Sequence, residues 1–257
     1  MSRIQQLFAK GEKVLISYVV AGDPDLDSTL NIMHELASHG TDLIELGIPF
    51  SDPMADGVII QRASQRAVER GTSLQNVLHL VKRFRTQNTH TPIVLMGYLN
   101  PILHMGYQAF AEAASSSGAD GVLVVDSPVE MSEALSGCLK SYGLDMIFLI
   151  APTTNDVRIQ KIVQHASGFI YCVSLNGVTG AATLDVVAVK QQLAHIRQMT
   201  DLPLAIGFGI KTVDDVIQVA PNADAVVIGS RFVQAIENNP QEIGTLSQNF
   251  KKALASV

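Results

Sequence analysis

Short apolar runs rich in β-branched residues alternate with longer amphipathic stretches from near the N-terminus to the end of the chain, and this alternation constrains the fold more than any other feature. The runs lie at 14–21, 42–47, 92–98, 120–126, 144–150, 169–174, 202–209 and 223–230, most of them ending in Gly, Asp or Ser. They number about eight, the count at which parallel strands close on themselves. Between them stand helical patterns such as "STLNIMHELASHG", "YQAFAEAASSSG" and "NDVRIQKIVQHASG", several opening on Ser or Asn and closing on Gly, as helix caps do. The expectation is an α/β protein, a (β/α)8 TIM barrel. An open doubly wound sheet would show the same alternation, although no G-x-G-x-x-G follows the first run, which disfavours a dinucleotide-binding version. With no linker, low-complexity tract or shift of composition, residues 1–257 are read as a single barrel domain.

Charge and cysteine content narrow the function. The 18 Lys and Arg against 24 Asp and Glu give a formal charge of −6 with no basic run, so no nucleic-acid partner is expected. No stretch has the ~20 apolar residues of a membrane span, and Met1 to Lys10 does not read as a leader. A cytoplasmic protein is expected. Cys138 and Cys172 are the only cysteines and the seven histidines are scattered, so neither a disulfide nor a metal site is expected.

One strand carries a charge where a core residue belongs. In "TDLIELG" the alternation turns Ile44 and Leu46 toward the helices and Leu43, Glu45 and Gly47 toward the barrel interior. Glu45 then sits near the C-terminal end of its strand, the end on which barrel active sites open. The alternative is a Glu paired with an inward cation, but none of the eight runs contains Lys or Arg. The Pro-, Asp- and Gly-rich loop "IPFSDPMADG" follows and brings in Asp52 and Asp56. Taken alone, Asp56 reads equally well as the Asp of an Asp-Gly turn.

The run "LIELGIPFSDPMADG" (43–57) resembles the signature of the tryptophan synthase α-subunit family, and the similarity continues through "MGYLNPI" (96–102), "VDSPVE" (125–130), "NGVTG" (176–180), "GFGI" (207–210) and "IGS" (228–230). This resemblance implies a lyase that splits indole-3-glycerol phosphate into indole and glyceraldehyde 3-phosphate. By the same resemblance Glu45 matches the acid/base carboxylate and Asp56 the carboxylate that meets the indole nitrogen. Gly180, Gly209, Gly229 and Ser230 fall on the phosphate site, in three glycine-bearing loops where barrels commonly bind that group. Tyr18, Tyr98, Leu123, Tyr171 and Phe208 fall on the indole pocket, although core packing is the commoner fate of a strand aromatic. Thr179 matches a threonine associated with loop closure.

The chain departs from the usual family pattern at Tyr18, where Phe is expected, at Ala181 and Ala182, and at Arg231. Asp126 reads as a strand end leading into a helix cap and stays outside the catalytic set. The resemblance further implies a β-subunit partner in an α2β2 tetramer, contacted around Asp52, Pro53, Asn100 and Pro101. The pyridoxal phosphate of that assembly belongs to the β-subunit, and no cofactor is expected in this chain. Other phosphate-binding barrels, indoleglycerol-phosphate synthase among them, share the glycine loops but lack "ELGIPFSDPMADG". A non-catalytic subunit that only activates a partner would need neither carboxylate.

Overall fold

The computed structural model describes residues 1–174 and 184–257. Its strands are β1 Val14–Val20, β2 Leu43–Gly47, β3 Ile93–Gly97, β4 Gly121–Val124, β5 Asp145–Ile150, β6 Ile170–Val173, β7 Leu204–Gly207 and β8 Ala225–Ile228. All pair in parallel and in chain order, and β8 returns to β1, so the sheet is a closed barrel rather than an open one. The helices are α1 Arg3–Phe8, α2 Leu26–Ser38, α3 Val58–Glu69, α4 Leu74–Arg85, α5 Leu99–Met105, α6 Tyr107–Ser117, α7 Glu133–Ser141, α8 Asp156–His165, α9 Val186–Arg197, α10 Val213–Val219, α11 Ser230–Asn238 and α12 Ile243–Leu254.

Each expected strand is present, shortened by one to four residues in all. Helix α2 begins earlier than its Ser suggests, because Asp25 is the cap. The Asp25 carboxylate accepts from the Ser28 amide at 2.7 Å, which places Ser28 inside the first turn. Strands β2, β3 and β8 are each followed by two helices instead of one.

Strand alternation divides the apolar side chains into two sets. Leu15, Val19, Ile44, Leu46, Ile93 and Leu95 pack outward beneath the helices. Ile16, Tyr18, Leu43, Val94, Leu123, Ile147, Tyr171, Ala205 and Val227 fill the barrel. Strands buried on both faces require such continuous apolar runs.

The N-terminal end of the barrel is sealed. Helix α1 drives Ile4 into the interior set and lays Phe8 against Phe169, ring centroids 5.9 Å apart. Its flanks are pinned by Ser2 Oγ donating to Asp145 Oδ2 at 3.0 Å and Arg3 Nη1 donating to Asp120 Oδ1 at 2.8 Å. Asp120, itself buried, also accepts from Arg85 Nη2 and the Ile93 amide, both at 2.8 Å. Only the C-terminal end of the barrel is left for a site. No helix among the described residues is long and apolar enough to cross a membrane.

Arg85 also donates to the carbonyls of Gly118 and Thr91 at 2.8 and 2.7 Å, so its removal strands several acceptors at once. Arg85→Ala is expected to destabilise the protein by about 2–3 kcal/mol, below the usual cost of breaking a buried pair because Arg3 still faces Asp120. The shift of the urea-unfolding midpoint checks this.

Candidate active site

Strand β2 delivers Glu45 into the barrel, between its register partners Tyr18 on β1 and Val94 on β3. Glu45 is 1% exposed, and its Oε1 has no hydrogen-bond partner among the described residues. A carboxylate in such a place loses its hydration without recompense. Burial, and secondly the nearby Asp56, push its pKa from an ordinary 4.5 up to about 8, so Glu45 holds its proton at neutral pH.

Asp56 comes from the loop between β2 and α3. Its amide donates to the Pro53 carbonyl at 3.1 Å, and Gln61 Nε2 donates to the Asp56 carbonyl at 2.8 Å, fixing the backbone on both sides. The side chain is aimed by Tyr98 at the end of β3, whose Oη donates to Asp56 Oδ2 at 2.9 Å while accepting the Ala55 amide at 3.0 Å. Phe50 stacks on the Tyr98 ring, centroids 5.3 Å apart at 28°. Burial raises the Asp56 pKa and the Tyr98 hydroxyl opposes the rise. Sequence reasoning missed Phe50 and the Ala55 amide. Phe50 is the only aromatic in "IPFSDPMADG", and that isolation was a signal available to it.

Aromatic side chains line the space above Glu45, and two glycines make room for them. A Cβ on Gly47 would stand 2.3 Å from Tyr18 Oη, and one on Gly207 would stand 2.1 Å from Tyr171 Oη. Phe208 meets the Tyr171 ring edge-on at 6.0 Å. Phe208 has φ +71° and Gly209 φ +77°. For a bulky residue such as Phe208 that conformation is strained. Ser174 Oγ donates to the carbonyls of both Gly207 and Phe208, tying the strained segment to the end of β6. Leu123 lies in the interior set on β4.

Gly229 and Ser230 stand where β8 passes into α11, Gly229 preceding the helix and Ser230 opening it. The free amides at such a helix start face the same barrel end as Glu45 and suit an anion. A Cβ on Gly229 would stand in ordinary contact with Tyr18 Cβ at 3.7 Å and Ile60 Cδ1 at 3.9 Å, so these two side chains border the main chain there. Thr179 and Gly180 lie outside the described residues. Asp52 and Asn100 are exposed, Pro53 and Pro101 half-buried, and all four rim the barrel end that holds Glu45 and Asp56. Asp126 accepts the Leu99 amide at 2.8 Å at the start of α5.

The arrangement offers one carboxyl that keeps its proton, one carboxylate held by a phenol, flat aromatic walls and an anion-binding helix start. The proton on Glu45 has a measurable cost. Below about pH 4.5 Glu45 is neutral in both folded and unfolded chains; as pH rises to about 8 only the unfolded chain ionises, so stability is lost across that window. Glu45→Gln removes the titration. Its melting temperature is expected to rise relative to wild type as pH increases from about 5 to 8, the stability gap widening by up to about 1.4 kcal/mol per pH unit. Calorimetry of both proteins across that range checks the slope.

The family model for the tryptophan synthase alpha chain matches residues 4–256. The tryptophan synthase alpha chain of Neisseria meningitidis serogroup B is 50% identical over 260 residues, covering 99% of this chain and 100% of its own length. That of Thioalkalivibrio sulfidiphilus is 55% identical over 246 residues, covering 94% and 92%. The crystal structure of the Legionella pneumophila tryptophan synthase subunit alpha superposes with a TM-score of 0.93 at 40% identity, with 100% of both chains covered. On this match in sequence and in fold, the chain belongs to the tryptophan synthase alpha chain family.

Proposed function

We propose that this chain, working as one domain over residues 1–257, is a lyase that cleaves indole-3-glycerol phosphate to indole and glyceraldehyde 3-phosphate in tryptophan biosynthesis. The observation that carries this reading is Glu45, a carboxyl buried without a partner at the open end of a closed barrel and still protonated at neutral pH. An indole carbanion is a poor leaving group, so C3 of the ring must gain a proton before the carbon–carbon bond can break. Glu45 donates that proton. Asp56 accepts the ring N–H and offsets the positive charge of the indolenine. The Glu45 carboxylate then takes the proton of the adjacent glycerol hydroxyl, that carbon becomes the aldehyde, and the bonding electrons return to the ring as indole departs. Glu45 ends protonated, ready for the next turnover.

The substrate phosphate docks on the main chain at Gly209, Gly229 and Ser230, with Gly180 completing the set. Tyr18, Tyr98, Leu123, Tyr171 and Phe208 hold the indole, and Thr179 acts in closure of the loop. Both proposed proton transfers run on side chains of this chain and call for no cofactor in it; the pyridoxal phosphate implied by the family resemblance is assigned to the β-subunit.

Glu45→Gln is expected to lower indole release by at least about 10³-fold with the fold intact, because an amide cannot exchange the proton. Asp56→Asn is expected to lower it by about 10²-fold or more through loss of the counter-charge. Initial rates of indole formation test both, and near-wild-type turnover in Glu45→Gln would overturn the mechanism.

Partnership with a β-subunit in an α2β2 assembly is supported by the surface around the site. Met54, Val58, Leu103 and Met131, all on segments that follow strand C-terminal ends, are 79, 68, 52 and 69% exposed. Apolar side chains gathered at one end of a barrel suit a protein interface. Docking against Asp52, Pro53, Asn100 and Pro101 would press on the loop that carries Asp56 and bias its position. Pro53→Asp is therefore expected to lose most of the activation by the β-subunit while basal turnover changes little; rates with and without that partner check it.

A further inference from the structure

Tyr18 spans the site from one end to the other. Its Cβ lies 3.7 Å from where a side-chain carbon on Gly229 would stand, and its Oη 2.3 Å from where one on Gly47 would stand. The ring therefore runs from the proposed phosphate cradle to the strand that holds Glu45, where Tyr18 and Glu45 are direct register partners with both side chains turned inward. The two carboxylates differ in their support. Asp56 has the Tyr98 hydroxyl at 2.9 Å, whereas Glu45 Oε1 has nothing.

We propose that the Tyr18 hydroxyl is the positioning group for Glu45: it donates a hydrogen bond to the Glu45 carboxylate while that residue lacks its proton, turns the free oxygen toward the reacting hydroxyl and sets the proton affinity of the pair. The inference rests on the lyase reading above. The phenol moves no proton of its own. The Glu45 proton goes to indole C3, the resulting carboxylate accepts from Tyr18, and the bond is released when Glu45 takes the glycerol hydroxyl proton.

The surroundings leave few other donors. The titratable groups that face the pair are Asp56 from the loop after β2, Tyr98 from the end of β3 and Tyr171 from β6. No Lys, Arg or His is among the buried side chains of the described residues, so no cation is on hand to hold the Glu45 anion. Tyr98 is committed to Asp56. The Tyr171 hydroxyl lies over Gly207 of β7, and Tyr171 feels the Glu45 charge from across the barrel, so it is the phenol against which Tyr18 must be compared. Tyr18 is the phenol on the strand that adjoins β2, at Glu45's own register position. Burial, reinforced by Asp56 and Glu45, lifts its pKa well above the ordinary phenol value, which keeps it a donor at every working pH.

Tyr18→Phe removes one oxygen and leaves the ring against Gly229, so fold and phosphate contact are retained. The test compares the full wild-type chain with Tyr18→Phe and Tyr171→Phe, measuring indole release from indole-3-glycerol phosphate and thermal unfolding from about pH 6 to 10. A carboxylate without its donor is a weaker acid. In Tyr18→Phe the alkaline limb of kcat/KM is expected to move up by about one pH unit, a tenfold change in acidity. Its kcat is expected to fall about tenfold with KM within about twofold. The upper end of the pH window over which the folded protein loses stability should move up by a similar amount, the lower end being set by the unfolded chain. A Tyr18→Phe profile that superimposes on wild type, or the same shift in Tyr171→Phe instead, would overturn the proposal. Absence of indole release from wild type would overturn the lyase reading alone, because the unfolding comparison still reports whether Tyr18 sets the proton affinity of Glu45.

Discussion

The desolvation of Glu45 is the constraint on which the site depends. Removing a carboxylate from water costs several kcal/mol unless donors replace the lost hydration. Among the described residues Glu45 Oε1 has no such donor, and the group answers by keeping its proton to about pH 8. Asp56 works on this from a distance. Its negative charge adds to the burial effect on Glu45, while its own burial-driven rise is opposed by the Tyr98 hydroxyl, so the two carboxyls that share one water-poor space are treated differently by their surroundings. In the proposed mechanism these two residues of one chemical class serve as acid and counter-ion, separated by where the barrel puts them.

The barrel's geometry supplies the rest through steric allowances. Tyr18 and Tyr171 lie across the mouth only because β2 and β7 end in Gly47 and Gly207, whose missing side chains leave the volume that the phenols occupy. An alanine at either position would collide with the phenol, 2.3 Å from Tyr18 Oη or 2.1 Å from Tyr171 Oη, and force it to shift. Phe208 is held at φ +71° by its flanking glycines and by Ser174, and this strain is sustained where a flat ring must meet Tyr171 edge-on. Shape at this end is therefore carried by glycines as much as by aromatics.

The alternation of runs was enough to place all eight strands, because period and length are local properties of a strand buried on both faces. Closure was a matter of count; the return of β8 to β1 depends on strand tilt and stagger, which one run at a time does not encode. Glu45 was legible for the same local reason as the strands, being a charge at an inward position of an apolar run. Asp56 was not legible from its surroundings, since an Asp before Gly is an ordinary turn, and it stood out only through the family signature. The Tyr98 hydroxyl that aims it and the Phe50 ring that backs Tyr98 come from separate strands and loops. Contacts of that kind have no period and leave no mark in sequence. The true start of α2 was hidden by a smaller effect, a Ser in the first turn that looks like a cap when Asp25 is the cap.

Two buried carboxylates at opposite ends of the barrel show how the fold separates stability from chemistry. Asp120, at the sealed end, accepts from Arg3, Arg85 and the Ile93 amide, and its charge ties α1, α4 and β3 together. With three donors from three separate elements on its two oxygens, Asp120 is spent on holding structure. Glu45 is less exposed than Asp120, yet it lacks those donors, and its free energy cost is borne by the rest of the barrel. Had the arginines stood at the other end, Glu45 would be an anion at neutral pH and useless as an acid. Keeping cations off the inward positions near the strand C-termini is therefore as much a requirement of the proposed chemistry as the carboxylate itself, and the eight strands meet it with no Lys or Arg in any of them.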